Sequence, residues 1–337
     1  MKFIKKKSLY KLILKGNFIL ILSILLYFLD CKKIIINDKA EYDLIIPSNL
    51  KDVKLILKHK KFYEKFLAYK NIILIIPTNN IPNKFNGTSI YFVNENILVP
   101  KTRINEFLWK MRGIRINRVN WYEQQFLKMA YSRICKKEYY LVWDEDTIPL
   151  RPIKMFQCNH PIFDMALEHN TPYFNTIERL IPGLKIFKQS YISEHMMVKT
   201  ELMRNLLDII EMNNNIPGKE FWEKILMCID IKDIDKSGFS EFETYGSFVD
   251  TKFPSVYKHR KWFSRRDAFS FFNNSENLNE KDIKWLSKDY DALSFEKWKM
   301  FNFSNKKLGI IKNNNIQRLY RPKNFFNNFE NIMKKFK

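Results

Sequence analysis

Three acids follow one another at Asp144, Glu145 and Asp146, inside the stretch "YYLVWDEDTIPLRP". Carboxylates this close repel by about 4 kcal/mol per pair at ~4 Å and an effective dielectric near 20. A divalent cation turns that repulsion into attraction. Mg2+ and Mn2+ are hard ions that take oxygen ligands, commonly one or two carboxylates with substrate phosphates completing the shell. The acid-x-acid spacing therefore suits Asp144 and Asp146 to a metal that neutralises charge building on a phosphate leaving group. The plainer use of the same residues is a solvated turn that caps the next segment. Further along, "SEFETYGSF" sets Glu241 and Glu243 two apart. On an extended backbone they project to one side, and on a helix they diverge. Either is the kind of group that deprotonates an acceptor hydroxyl, and Glu241 is the first candidate. Gln124, Gln125 and Lys128 in "EQQFLK" stand three and four apart, so one helix face brings two amides and an ammonium to a phosphate or sugar hydroxyl. Glu194 and His195 in "SEHMM" form another acid–base neighbourhood. Arg260, Lys261, Arg265 and Arg266 in "YKHRKWFSRR" supply cations suited to a diphosphate.

These residues need elements to hold them. "YYLVW" (139–143) is an unbroken apolar and aromatic run, the pattern of a buried strand, with the acids where it reaches solvent. "YDLIIP" (42–47) and "NIILIIP" (71–77) share that design, each closed by proline, and "SIYFV" (89–93) is a weaker third. Residues 48–69 between the first two are helical in pattern, with Val53, Leu57 and Phe62 among the apolar positions. Strands alternating with helix-length segments predict parallel β/α construction. In such a sheet the ligand crevice opens just past the strands, where Asp52 lies. "WYEQQFLKMAYSRIC" predicts an amphipathic helix with Phe126, Ala130 and Ile134 on one stripe. "ELMRNLLDIIEM" and "KEFWEKILMCID" are predicted helices on either side of polar "NNNIPG".

Two enzyme classes place an acid triplet at a strand end. Haloacid-dehalogenase-type phosphohydrolases use the first acid, here Asp144, as a nucleophile. GT-A glycosyltransferases use the outer two to hold a metal against a sugar nucleotide. The hydrolase triplet ends the first strand of its core, whereas here two well-formed strands come earlier. "CIDIKDID" offers late acids at Asp230, Asp233 and Asp235 but no Gly-Asp pair. The ordered set "DLIIPSNLKD", "WYEQQFLKMA", "YYLVWDEDTIPLRPIKMF", "YISEHMMV", "FWEKIL" and "SEFETYGSF" resembles a group of mostly uncharacterised GT-A-type glycosyltransferases, over roughly residues 41–260. The resemblance implies an α/β fold, a GT-A-like three-layer α/β/α sandwich with a mostly parallel sheet, plus an N-terminal apolar helix. It implies a nucleotide-sugar donor, Mn2+ or Mg2+, and a glycan or lipid-linked acceptor. Asp52, Gln124, Gln125, Lys128 and Asp144 then become donor contacts. His259 would complete the metal shell of Asp144 and Asp146, and Glu241, Glu243 and His195 would serve the acceptor. A reading from another class is a non-catalytic membrane-bound module whose basic ends hold anionic partners.

The net charge of +22 suggests nucleic acid until its distribution is read. Residues 1–40 carry nine Lys against two Asp, and residues 301–337 carry nine Lys or Arg against one Glu. The excess belongs to the tails, and the middle holds no nucleic-acid motif, so no nucleic-acid partner is expected. The head starts basic and continues with an apolar run from Phe18 to Leu29, broken only by Ser23. That run is shorter than the roughly twenty residues that span a bilayer. With its lysine flank it predicts a membrane-associated or signal-anchor segment drawn to an anionic membrane surface. The expected division is a basic hydrophobic segment at 1–40, a catalytic domain at 41–265 and a basic extension at 266–337. Cys31, Cys135, Cys158 and Cys228 are too scattered for a structural zinc site or a disulfide framework.

Overall fold

The computed structural model describes residues 40–77 and 89–296, so the expected amino-terminal apolar helix and the tail beyond 296 lie outside the described residues. In chain order the elements are β1 (Tyr42–Pro47), α1 (Val53–Phe66), β2 (Ile72–Ile76), β3 (Ile90–Asn94), α2 (Lys101–Arg112), α3 (Val119–Ala130) and β4 (Tyr139–Trp143). Then come β5 (Thr147–Pro149), β6 (Phe156–Gln157), β7 (His160–Met165), α4 (Thr171–Leu180), β8 (His195–Lys199), α5 (Thr200–Met212), α6 (Phe221–Cys228) and α7 (Ile231–Ile234). The described chain closes with α8 (Glu241–Lys252), β9 (Lys258–Lys261), β10 (Ser264–Arg265), α9 (Glu280–Leu286) and β11 (Ala292–Ser294). The fold is α/β, and its main sheet runs β3-β2-β1-β4-β8.

β1 pairs in parallel with β2 on one side and β4 on the other, and β2 pairs in parallel with β3. Just past β8, Thr200 donates to the carbonyl of Glu138 just before β4, so β8 runs antiparallel to its neighbour. Ile45, Ile73, Ile75, Tyr140 and Val142 point from one face into a core shared with α2 through α6 and α8. Their alternates Leu44, Ile46, Leu74 and Leu141 are equally buried, so both faces are covered. This is why the strands read as unbroken apolar runs rather than alternating ones.

Contacts divide the chain into two compact units. One holds Tyr69–Val142, Lys154–Arg260 and the described residues up to Pro47, including the main sheet. The other gathers Ser48–Ala68, Trp143–Ile153 and the described residues from Lys261 onward. Its core joins Phe62 of α1 and Ile148 of β5 to Ile283 and Leu286 of α9 and Leu293 of β11, over a three-stranded sheet β10-β11-β5. Residues 266–296, expected as an extension, therefore fold as part of a unit that also contains the acid turn. Ile134 does not join the α3 stripe: the helix tightens into a 3-10 turn at Tyr131–Arg133 and leaves Ile134 exposed. Cys135, Cys158 and Cys228 are free thiols. No helix among the described residues is long and apolar enough to cross a membrane.

Candidate functional site

The chain lays down β1, β2 and β3 outward in one direction, then returns to place β4 on the other side of β1. That reversal is a topological switch point, where open α/β sheets form a crevice past the carboxyl ends of the strands. The residues following the two strands are Ser48 and the acids 144–146. The Ser48 hydroxyl donates to the Glu145 carboxylate, tying one loop to the other. Glu145, the middle acid, joins the two loops, and Asp144 and Asp146 stand half-buried on either side of it.

The second unit builds this turn from several directions. Thr147 N donates to the Asp144 carbonyl at 3.1 Å, and Trp143 Nε1 donates to the Thr147 carbonyl at 2.8 Å. Phe295 N donates to the Asp146 carbonyl at 2.9 Å, while the Thr147 and Ser294 hydroxyls bond each other across β5 and β11. His59 of α1 lies against the Glu145 backbone, with Nε2 2.8 Å from Ser275 Oγ. Burial pulls its pKa down to about 4, so it supports the turn as a neutral ring. Asp52 sits half-buried at the start of α1 without capping the helix through its side chain. Sequence reading missed Ser48, His59 and Ser294. Ser48 carried a signal, its place just past a proline-closed strand, but the other two depend on pairings with no local trace.

In the main-sheet unit the predicted residues sort into three groups. "SEFETYGSF" is the start of α8, and Glu241 and Glu243 diverge as helical neighbours must. Glu241 faces Lys128 at 2.9 Å, and its backbone N–H donates to Gln125 Oε1 at 3.2 Å. Lys128 and Gln125 are buried, so their face of α3 is interior, while Gln124 is only half-buried. Glu243 accepts from the Ser190 hydroxyl and from Tyr191 N at 3.1 Å. Burial pushes its carboxyl up to about 7 against those bonds.

His195 is buried with both nitrogens engaged, Nδ1 2.7 Å from the Ser193 carbonyl and Nε2 2.9 Å from Asp164. Arg260 grips Asp164 with two bonds of 2.6 Å. Burial opposes charge on Asp164, but His195 and Arg260 outweigh it and hold the carboxyl below its usual range. This network fixes the start of β8, and just before it Glu194 adopts φ 59, a left-handed conformation that costs a non-glycine residue about 1–3 kcal/mol. His259 places Nε2 2.6 Å from Asp250, which also accepts from Tyr191 Oη at 2.6 Å. Among the described residues no three His, Cys, Asp or Glu side chains gather as a metal-holding group. His259, expected beside Asp144 and Asp146, is bonded to Asp250 within the main-sheet unit. Asp144 and Asp146 alone still suit a hard cation that draws its remaining ligands from phosphate and water.

Residues 45–266 match the profile of DUF6492, a family of unknown function. No curated protein matches the sequence. Among solved structures, a galactosyltransferase LgtC in complex with donor and acceptor sugar analogues aligns at TM-score 0.40 and 11% identity, over 75% of this chain and 86% of that one. Mouse xyloside xylosyltransferase 1 aligns at TM-score 0.38 and 12% identity, over 75% and 97%. The glycosyltransferase GlyE of Streptococcus pneumoniae aligns at 0.29 and 11%, over 77% and 55%. Likeness this distant transfers no residue role.

Proposed function

We propose, for a chain that belongs to the DUF6492 family of unknown function, that it is a glycosyltransferase moving a sugar from a nucleotide-sugar donor to a glycan or lipid-linked acceptor. One observation carries the reading: the loops that follow β1 and β4 in the chain are joined by the Ser48–Glu145 bond, with Asp144 and Asp146 on either side of Glu145. Two acids at the place where α/β sheets bind ligands suit a metal-bound diphosphate better than a bare sugar. Asp144 and Asp146 are the carboxylates that would hold Mn2+ or Mg2+. The ion supplies counter-charge to the departing nucleoside diphosphate. Asp52, at the start of α1, is the proposed contact to the nucleotide, and Glu241 and Glu243 remain the acceptor-side carboxylates of the proposal. The amino-terminal segment is proposed as a membrane attachment that keeps the enzyme near a lipid-linked acceptor.

The test is a thermal-shift series with UDP and GDP in Mn2+. A ligand bound only by the native state at a hundredfold excess over Kd stabilises by about 2.7 kcal/mol, so one of these nucleotides should raise the Tm by several degrees. Asp144→Asn and Asp146→Asn should each remove the shift. The phosphohydrolase alternative makes Asp144 a nucleophile that forms an aspartyl phosphate. A beryllofluoride adduct on Asp144, with no response to any nucleoside diphosphate, would replace the transferase with that hydrolase.

A further inference from the structure

The acid turn has a cationic neighbour that the same unit supplies. β10 pairs with β11 so that Arg265 is level with Leu293, and β11 pairs with β5 so that Leu293 is level with Ile148 and Ser294 with Thr147. Arg266 follows in the row of Ser294 and Thr147, whose hydroxyls bond each other on one face. Glu296, two residues past Ser294, returns to that face and accepts from Arg266 Nε. The next row along β11 is Phe295, whose N–H holds the Asp146 carbonyl. Arg266 therefore lies one row along from Asp146 and across β11 from it, on the other side of the three-stranded sheet. Glu296 is buried with a 7% exposed side chain, while Arg266 reaches solvent with 28%.

The other two arginines of that stretch are engaged elsewhere. Arg260 forks onto Asp164 in the main-sheet unit. Arg265 pairs with Asp267 and lies 5.0 Å over the Phe271 ring. We infer that Arg266 is an anion-binding residue of the acid-turn site, taking a diphosphate whose metal is held by Asp144 and Asp146, with Glu296 aiming the guanidinium. A guanidinium fork matches phosphate oxygens where a lysine offers only a point charge. The assignment deepens the transferase reading by naming what holds the leaving group, and it rests on that reading only for the identity of the nucleotide.

The experiment titrates inorganic diphosphate into the full chain with Mg2+, by calorimetry, for wild type, Arg266→Ala, Arg266→Lys and Glu296→Gln. Wild type binds, Arg266→Ala weakens binding roughly tenfold or more as a charge-assisted bond is lost, and Arg266→Lys recovers part of it. Glu296→Gln keeps the guanidinium but loses the carboxylate that aims it, and should weaken binding about severalfold, which decides the matter if Arg266→Ala fails to fold. Unchanged affinity in Arg266→Ala, unchanged affinity in Glu296→Gln, or no binding by wild type each overturns the assignment and leaves an ordinary ion pair. Diphosphate binding through Arg266 with no response to UDP or GDP would keep this inference and remove the transferase. A nucleotide shift that needs Asp144 but not Arg266 would do the reverse.

Discussion

Lys128 and Glu241 place opposite charges inside the main-sheet unit, with side chains 6% and 8% exposed. Taking two charges out of water costs several kcal/mol each, and mutual attraction offsets this only while both partners are present. The ammonium also lies 4.7 Å over the Phe242 ring, which adds a second attraction for the cation. Losing one partner is therefore more harmful than losing both. Glu241→Gln is expected to destabilise by roughly 3–5 kcal/mol in urea unfolding, and the double replacement Lys128→Met with Glu241→Leu should recover most of the loss. If Glu241 instead serves as acceptor base, Glu241→Gln should keep its unfolding midpoint and lose transfer by roughly 10²–10⁴-fold. The pairing itself was hidden in the sequence, because the two residues lie 113 positions apart. The place of the acid turn was legible for the opposite reason: it is local, at the end of an apolar run that forms β4.

At the scale of elements, α8 shows where pattern reading stops. Every residue from Glu241 through Val249 is buried, so the helix has no polar stripe to display a 3.6-residue period. The legible clue was the start signal, Ser240 as N-cap accepting from Glu243 N at 3.3 Å. Gly246 explains the close packing on this helix: a Cβ placed there would fall 2.3 Å from the Tyr191 ring. That ring has little room to give, because its hydroxyl is bonded to Asp250 and its edge meets Phe163 with centroids 5.2 Å apart. Gly→Ala in an ordinary helix gains about 1 kcal/mol from propensity. Here overpacking should win, with Gly246→Ala destabilising by about 1–3 kcal/mol and loosening the Ser190–Tyr191 backbone that Glu243 holds. Hydrogen exchange faster at Tyr191 and Ile192 than in wild type would show the second effect. A neutral or stabilising substitution would mean that the 190–194 segment yields, and that Glu243 does not fix it.

For the whole chain, the division into two units was the least legible feature. β5, β10 and β11 are two or three residues long, and β11 pairs with β5 across more than a hundred positions, so no window of sequence carries the sheet. Each unit nevertheless has its own buried titrating groups, and these carry opposite signs. In the main-sheet unit burial raises Glu243 from 4.5 to about 7, with Glu168 adding to the rise and Ser190 and Tyr191 opposing it. Burial also raises Glu123 and Glu95, which face each other beside Lys101. A carboxyl raised in the folded state binds its proton more tightly there, so its stabilising contribution is full below 4.5 and is lost as pH rises through 7. In the acid-turn unit burial lowers His59 from 6.5 to about 4, with Lys61 helping, while the Glu145 backbone and Glu276 oppose it. Its contribution is full above 6.5 and is lost as pH falls through 4. Hydrogen exchange at pH 4.5 and 8, corrected for the intrinsic rate, should therefore show α8 and β8 better protected in acid, and β5 and α9 better protected at pH 8. Glu243→Gln should flatten part of the first trend and His59→Gln the second. Both units gaining protection in the same direction would show that these groups do not govern the response to pH.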